Sequence, residues 1–258
     1  MSDAPALRAR GLSLSFPGLD GPERVLDGVG LSVEPGEVVA LIGPSGCGKS
    51  TLLSALAGLR PPDAGTVALE PEPPRGLPGA VTLMPQGDAL LPWRTLAANV
   101  EVGARLSGLD GAAATKAVED VLPAYGLDAH AEHYPHALSG GQRQRASLAR
   151  TVLSRRRVWL LDEPFGALDA LTRTELQRVF TAVWEEHRPT VLLVTHDLDE
   201  ALLLASRVLV SGPRPARVVA EVAVDLPRPR TLALTATPAF ARLRGRLLDA
   251  LSAAGAVR

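Results

Sequence analysis

One stretch decides the fold class: Gly43-Pro44-Ser45-Gly46-Cys47-Gly48-Lys49-Ser50-Thr51. It matches the phosphate-loop pattern G-x-x-x-x-G-K-[ST], in which glycines let successive backbone N–H groups approach phosphate oxygens. The apolar run Val38–Ile42 precedes it and fits a buried strand, and Lys49–Leu59 follows with leucines at helical spacing. A strand, a glycine loop and a helix in this order predict a nucleotide-binding α/β domain. The pattern further predicts that Lys49 reaches the β- and γ-phosphates and that Ser50 ligates Mg²⁺.

A second signal is the short apolar run Val158–Leu161, which is followed directly by Asp162 and Glu163. Ligands of open α/β sheets bind at the carboxyl ends of the strands, where these two carboxylates would lie. We expect Asp162 to hold Mg²⁺ and Glu163 to take a proton from the attacking water or to orient it. A strand ending in Asp-Glu is common by itself, but beside a phosphate loop it indicates nucleotide hydrolysis.

A third signal is Leu138-Ser139-Gly140-Gly141-Gln142, at the start of a predicted helix, Gln142–Arg155. The serine and the two glycines would leave backbone donors exposed at a positive helix end, which predicts a second anion site. A single chain has no need of two sites for one γ-phosphate. We therefore expect this segment to close on the nucleotide of a second copy, although a serine N-cap followed by turning glycines is the simpler alternative.

Composition limits the remaining function classes. The chain has 258 residues, 46% of them hydrophobic, which predicts one large α/β domain or a core with a subdomain. A formal net charge of −1 argues against an electrostatic nucleic-acid binder. The single cysteine excludes an internal disulfide and suits a reducing compartment. The beginning of the chain predicts no signal peptide, and polar residues interrupt the most apolar window, Val191–Val210, so a membrane role would need a partner that crosses the bilayer.

Over nearly its whole length the chain resembles the ATPase subunits of ABC transporters. The family's motifs occur in the family's order: the phosphate loop, Gln86, Leu138–Gln142, Asp162-Glu163, then Asp169 in Ala167-Leu168-Asp169 and His196 in Val194–Asp197. The resemblance implies that Gln86 senses the γ-phosphate, Mg²⁺ and water, and links them to a membrane partner. It places Asp169 at a dimer seam, His196 on the γ-phosphate beside Glu163, and Phe16 against adenine.

Three further stretches narrow the resemblance: Leu90–Trp93, Pro164–Arg173 and Leu226–Arg230. Together they are similar to bacterial importer ATPases for nitrate, sulfonate, taurine or thiamine-precursor pyrimidines, although that group usually has an aromatic residue where Pro85 precedes Gln86. The resemblance implies ATP and Mg²⁺ as cofactors, with Ser50, Gln86 and Asp162 on the metal. It also implies an ATP-sandwich homodimer, integral membrane permease subunits, an indirect solute-binding partner and no nucleic acid, at the cytoplasmic face of the inner membrane.

The expected architecture is a phosphate-loop α/β core with an inserted helical subdomain. Residues 1–86 and 158–230 would form the ATP-binding core, residues 87–157 the inserted signature subdomain, and residues 231–258 a short helical tail. Two rivals stay open: a non-transport ABC ATPase of DNA repair, translation or cluster assembly, and a signalling ATPase on a membrane complex.

Two local features stand apart from these motifs. His130, His133 and His136 have a metal-like spacing, but they would lie on different helix faces and Pro135 breaks the run, so we expect no metal there. The thiol of Cys47 stands at a helix N-terminus, which favours the thiolate, and we expect it to react with alkylating agents unless ATP protects it.

Overall fold

The computed structural model describes residues 6–19, 21–72 and 77–255 of the chain. Its strands are β1 (Leu7–Gly18), β2 (Gly21–Val33), β3 (Val38–Ile42), β4 (Ala64–Leu69), β5 (Val81–Met84), β6 (Val158–Asp162), β7 (Thr190–Val194), β8 (Arg207–Ser211) and β9 (Val218–Ala223). Its α-helices are α1 (Lys49–Leu56), α2 (Leu96–Leu106), α3 (Gly111–Val121), α4 (Gly140–Leu153), α5 (Ala170–His187), α6 (Leu198–Leu204) and α7 (Pro238–Ala253). In the part of the chain described, no helix is long and apolar enough to cross a membrane.

The strands form two sheets. A six-stranded sheet has the order β5-β6-β7-β3-β8-β9 and is parallel except for the antiparallel edge strand β9. A three-stranded antiparallel sheet has the order β2-β1-β4. The predicted α/β fold is confirmed. The sequence analysis did not predict the antiparallel sheet, although Leu12, Leu14 and Phe16 alternate with serines in β1 as in a half-buried strand.

The central strand β3 separates two apolar cores. Val38, Ala40 and Ile42 face the core shared with the helices after β5, whereas Val39 and Leu41 face the core shared with α1 and the antiparallel sheet. Alternation along a strand sends successive side chains to opposite faces of a sheet, so burial of every residue of β3 means that both faces are covered. The glycine loop after β3 is thereby fixed between two packed layers.

The chain between β5 and β6 carries α2, α3 and α4 and several short 3-10 turns. The expected core and subdomain boundaries fall in connections: Gln86 lies between β5 and α2, and Arg157 between α4 and β6. Residues 1–5 of the expected core and 256–258 of the expected tail lie outside the described residues. The tail helix is α7, where Thr237 caps the first turn by accepting a hydrogen bond from Phe240 N at 3.3 Å.

The contact between α2 and α4 requires a glycine. A Cβ placed on Gly103 would lie 2.0 Å from the carbonyl oxygen of Arg150, a backbone atom that cannot swing aside. We predict that Gly103→Ala lowers the free energy of unfolding by about 2 kcal/mol, because the two helices must move apart. Gly245→Ala in α7 is the matched control, since an added Cβ there has no neighbour within 4 Å. The control should raise stability by about 0.5 kcal/mol. Urea unfolding of both variants measures the difference, and equal effects would contradict the close α2–α4 packing.

Candidate functional site: a phosphate-loop nucleotide cavity

The phosphate loop joins β3 to α1 and depends on glycine at its tightest point. Gly48 has φ +122°, and a Cβ there would lie 2.9 Å from Cγ1 of Val25. Gly48 is also the N-cap of α1, with no side-chain cap and no acidic residue in the first turn. Among the described residues, the positive end of α1 is therefore left for an anion, as the sequence pattern predicts.

Lys49 lies inside this loop rather than in solvent. Its side chain is 9% exposed, and Nζ donates hydrogen bonds to the carbonyl oxygens of Gly43 and Pro44, both at 2.9 Å. Cys47 points the other way: it is 2% exposed, with Sγ 3.6 Å from Oγ of Ser211. The expected reactivity of this thiol thus requires the loop to open, because the sulfur is shielded in the closed loop.

A cavity of about 410 Å³ opens at the phosphate loop. It is lined by Phe16, Val25, Ser45, Gly46, Gly48, Lys49, Ser50, Thr51, Gln86, Asp162, Glu163 and Arg214. Phe16 is half-buried, with the Arg60 guanidinium 4.5 Å from its ring centroid on one face. The sequence analysis missed Val25 and Arg214, since they reach the cavity from β2 and from the loop between β8 and β9 and carry no motif.

Asp162 is the buried carboxylate of this cavity and is 4% exposed. Burial raises its pKa above the usual value and the negative charge of Glu163 adds to this, while a hydrogen bond with Ser50 and the charge of Lys49 act in the opposite direction. A carboxylate disfavoured in this way gains from a nearby cation. Ser50, Gln86 and Asp162 all line the cavity and together offer hydroxyl, amide and carboxylate oxygens, a donor set that fits Mg²⁺.

Glu163 is held by contacts from both neighbouring strands. Its Oε2 lies 3.2 Å from His196 Nδ1 and 3.4 Å from Gln86 Nε2, and its backbone N–H donates to the carbonyl of Val194 at 2.9 Å. Its backbone adopts φ +50°, a left-handed conformation that few non-glycine residues adopt and that costs energy. Gln86, Glu163 and His196 thus meet at one carboxylate oxygen, and the sequence analysis had expected His196, by family resemblance, beside Glu163.

Ser139 and Asp169 lie apart from this cavity. Ser139 caps α4 in a reciprocal arrangement with Gln142, in which each side chain bonds the other's backbone N–H, at 2.7 Å and 3.2 Å. Ser139 and Gly140 are exposed, while Gly141 and Gln142 are half-buried. Asp169 is exposed and caps α5, and the hydrogen bond from Thr172 lowers the pKa of its carboxyl. None of these residues is among those that line the cavity.

Three side chains of α4 bond to the segments that follow β5 and β6, and the sequence analysis did not single them out. Buried Gln144 donates from Nε2 to the carbonyls of Glu163 and Pro164, at 3.2 Å and 3.1 Å. Arg143 pairs with Asp88 at 2.8 Å. Arg150 donates to the carbonyls of Asp88 and Ala89, at 3.1 Å and 2.8 Å. No local pattern distinguishes these residues from ordinary polar positions on a helix.

Two other features do not compete with this cavity. A second, larger cavity, of about 870 Å³, lies at the amino ends of the parallel strands. Its lining includes Arg155, Arg156, Arg157 and Arg188. These arginines follow the carboxyl ends of α4 and α5, where positive charge complements the helix dipole.

His130 and His133 pack edge to face with ring centroids 5.3 Å apart. Over the described ranges, no three His, Cys, Asp or Glu side chains are grouped to hold a metal ion.

Comparison with known proteins decides the family. The model of the ABC transporter family matches residues 26–166. The chain belongs to the ABC transporter family. The family resemblance and fold predicted from the sequence are thereby confirmed, and this ABC subunit is an ATP-binding ATPase.

The ABC subunit has close curated relatives and a close structural neighbour. It is 43% identical to the aliphatic sulfonates import ATP-binding protein SsuB 1 of Agrobacterium fabrum, over 97% of this chain and 85% of that one. It is 42% identical to the taurine import ATP-binding protein TauB of Pseudomonas aeruginosa, over 94% of each. The dimeric post-hydrolysis structure of the ATP-binding cassette MJ0796 with ADP and phosphate superposes with a TM-score of 0.77, at 27% identity, over 85% of this chain and 99% of that one.

Behind Glu163 the ABC subunit buries a further carboxyl group, Glu200 on α6, which is 4% exposed. Burial raises its pKa from 4.5 to about 7, and the neighbouring charge of Asp197 acts in the same direction. A raised pKa means that folding favours the protonated form. Stability from this group is thus full below pH 4.5 and is lost as pH rises through about 7.

We predict that Glu200→Gln stabilises the protein at pH 8 by roughly 2–3 kcal/mol, because the amide carries no charge to bury. Most of the difference should vanish at pH 5, where the wild-type carboxyl is already protonated in the folded state. Urea unfolding at both pH values measures it. Glu119→Gln, on the exposed side of α3, is the control and should show no such pH dependence. A gain at pH 5 as large as at pH 8 would contradict the raised pKa.

Proposed function

We propose that this chain is the ATP-hydrolysing subunit of an importer that takes up a small sulfonate or taurine-like solute through a separate permease. The observation that carries the proposal is the Glu163 cluster at the phosphate-loop cavity, found in a chain whose relatives are named as import ATP-binding proteins for aliphatic sulfonates and taurine. It acts as a peripheral subunit at the cytoplasmic face of the cell membrane.

In the proposed mechanism, the phosphate loop and Lys49 bind the phosphates of ATP, and Phe16 stacks on the adenine. Ser50, Asp162 and Gln86 would hold Mg²⁺. When bound, this ion neutralises charge on the phosphate oxygens. Glu163 orients the attacking water and accepts its proton.

His196 and Gln86 keep the Glu163 carboxylate in place, since both touch the same oxygen atom. In this mechanism His196, in the turn after β7, also contacts the γ-phosphate of bound ATP, as the family resemblance implies. The side chain of Glu163 is 20% exposed, so the catalytic carboxylate is shielded from most of the solvent but open on the cavity side. Closure of a partner over the cavity would exclude the remaining water.

The partner that closes the cavity is a second copy of the chain. Ser139–Gln142 presents the N-terminus of a 14-residue helix, α4, at an exposed surface and away from the chain's own cavity. Two copies arranged head to tail would place each Ser139–Gln142 segment against the other's nucleotide, with Asp169 at the seam. Within one chain this anion site does not line the nucleotide cavity, so its ligand would be the phosphate bound by another copy.

Transmission to the permease runs through the segment Gln86–Trp93. Its first residue touches Glu163, and Trp93 is 71% exposed at its far end. Arg143 and Arg150 of α4 bond to Asp88 and Ala89, so a movement of α4 displaces the segment Gln86–Trp93. Nucleotide state and permease contact are thus linked through one short stretch of chain.

We predict that Glu163→Gln lowers kcat for ATP hydrolysis at least 100-fold while ATP binding persists, because the amide cannot accept the proton of water. The variant should accumulate as an ATP-bound dimer, measured by light scattering with and without ATP. Proteoliposomes holding the subunit and its permease should import labelled taurine or an aliphatic sulfonate with the wild-type chain and not with the variant. Glu119→Gln is the control. Normal hydrolysis by Glu163→Gln would refute the role of the base, and hydrolysis without import of either solute would refute the proposed cargo.

The composite site can be tested by mixing two inactive variants. Lys49→Ala removes the cation of the phosphate loop. Gly140→Asp puts a negative charge at the N-terminus of α4. The added side chain fits there, since a Cβ on Gly140 would meet only Arg143 Nη2, at 3.9 Å. Each variant alone should be inactive. A mixture should recover about a quarter of wild-type hydrolysis, since half of the dimers are mixed and each holds one intact site. Lys116→Ala, in the only other lysine, is the control for Lys49→Ala. A mixture as inactive as its components would contradict a site shared between copies.

A further inference from the structure

A small cavity of about 10 Å³ shares the lining residue Glu163 with the nucleotide cavity. It is lined by Glu163, Phe165, Gly166, Arg173, Thr195, His196, Asp197 and Glu200. Two side-chain atoms in this lining are buried without a hydrogen-bond partner in the described chain, Nε of Arg173 and Oε1 of Glu200. Buried polar groups are rarely left unpaired, so this donor and this acceptor, which line one cavity, are candidates to pair with each other.

Arg173, on the first turn of α5, joins two segments that the reaction uses. Its Nη2 donates to the carbonyl of Leu168 at 3.0 Å, next to the expected seam residue Asp169. Its Nη1 lies 3.4 Å from Oδ2 of Asp197, directly after His196. One guanidinium therefore ties the segment at the expected dimer seam to the turn that carries His196.

Asp197 makes this tie effective because it also fixes the turn. Its Oδ1 accepts hydrogen bonds from the backbone N–H groups of Asp199 and Glu200, at 2.9 Å and 3.1 Å, and so caps α6. Its own backbone N–H donates to Oγ1 of Thr195 at 3.0 Å. His196 stands between these two anchored residues, so the position of Asp197 sets the approach of the imidazole to Glu163.

Glu200 is placed to compete with Asp197 for Arg173. Glu200 lines the same cavity as Arg173, with Oε2 accepting a hydrogen bond from Gln177 at 3.3 Å and Oε1 buried without a partner in the described chain. With a pKa of about 7, the group is largely neutral in mildly acidic solution and ionised in alkaline solution. An ionised Glu200 attracts the guanidinium, whereas a neutral one leaves it on Asp197.

Besides Arg173 and Asp197, the titratable residues Glu163 and His196 line the cavity beside Glu200, and these two contact each other, with Glu163 Oε2 3.2 Å from His196 Nδ1. The other charged groups near α6 are engaged elsewhere. On α7, Arg244 pairs instead with Asp199, at 3.0 Å. At the far end of α6, Arg228 and Arg230 donate to backbone carbonyls. The strands packed against α6 are β3, with no titratable residue, and β8, whose Arg207 pairs with Glu37 and Glu221.

Resting on the proposed ATPase function, we propose that Arg173 and Glu200 are a pair of positioning residues that hold His196 and the dimer-seam segment in register. While Glu200 is neutral, Arg173 bridges Leu168 and Asp197 and fixes the His196 turn. When Glu200 ionises, it draws the guanidinium from Asp197 and loosens that turn. Neither side chain touches the nucleotide, and both act through His196 and Glu163.

The test measures kcat and KM for ATP from pH 6 to pH 9 with the full chain. Arg173→Gln should lower kcat about 30-fold, since a small misplacement of catalytic groups is costly, and change KM less than about threefold. Arg173→Lys should recover only part of the loss, because a lysine cannot bridge both oxygens in the same geometry. Arg178→Gln, five residues along the same helix and exposed, is the matched control and should leave kcat unchanged.

The pH profile separates positioning from a merely structural role. Wild-type kcat should fall relative to Glu200→Gln as pH rises through about 7, and the Glu200→Gln profile should lack this limb. An unchanged limb in Glu200→Gln, or wild-type kcat in Arg173→Gln, would overturn the inference. If Arg173→Gln melts early, Arg173→Lys and the Glu200→Gln profile still decide. A wild-type chain without ATPase activity would refute the proposed function instead, so the two failures are distinguishable.

Discussion

The site depends on one shared contact, at Oε2 of Glu163. This atom lies 3.2 Å from His196 Nδ1 and 3.4 Å from Gln86 Nε2. The contact exists because β5, β6 and β7 are parallel neighbours, so Gln86, Glu163 and His196 all follow strands that end at the same edge of the sheet. If β5 or β7 ran antiparallel to β6, the residues that follow that strand would lie at the opposite edge of the sheet, away from Glu163.

The inserted helices are attached to this edge by specific polar bonds as well as by apolar packing. Gln144 is 4% exposed and satisfies two carbonyls, those of Glu163 and Pro164. A buried carbonyl that loses its donor costs about 1–3 kcal/mol, so α4 cannot leave the catalytic segment without a large penalty. Arg143 and Arg150 hold the segment after Gln86 in the same way. The signature segment Ser139–Gln142 is the start of that same helix, which gives a partner at Ser139 a rigid connection to Glu163.

The sequence predicts the parts of this site that are local and leaves out those that are long-range. The phosphate loop and the Asp162-Glu163 pair are predicted from the sequence because each stands next to a recognisable element. The loop directly precedes a helix, and the two carboxylates directly follow an apolar strand. Arg214 and Gln144 reach the site from segments far along the chain, and their sequence neighbours show no pattern that would single them out. The antiparallel sheet was missed for a related reason: pairing between β1 and β4 joins residues about sixty positions apart, as in Leu7 with Leu69. Family resemblance supplied Gln86, Asp169 and His196, which composition and spacing alone do not distinguish.

Two buried carboxyl groups, Asp162 and Glu200, each line a cavity together with Glu163. Asp162 and Glu200 are each 4% exposed, and burial raises the pKa of both. Burial disfavours the ionised forms of both carboxyl groups, and nearby hydrogen bonds and positive charge offset part of that cost. Lys49 offsets part of it for Asp162, and Arg173 part of it for Glu200. Both cations are also engaged elsewhere, Lys49 with loop carbonyls and Arg173 with Leu168 and Asp197. A ligand at the phosphate loop would draw Lys49 away from Asp162, and a movement at the dimer seam would draw Arg173 away from Glu200. Both changes alter the charges around Glu163, which lines both cavities.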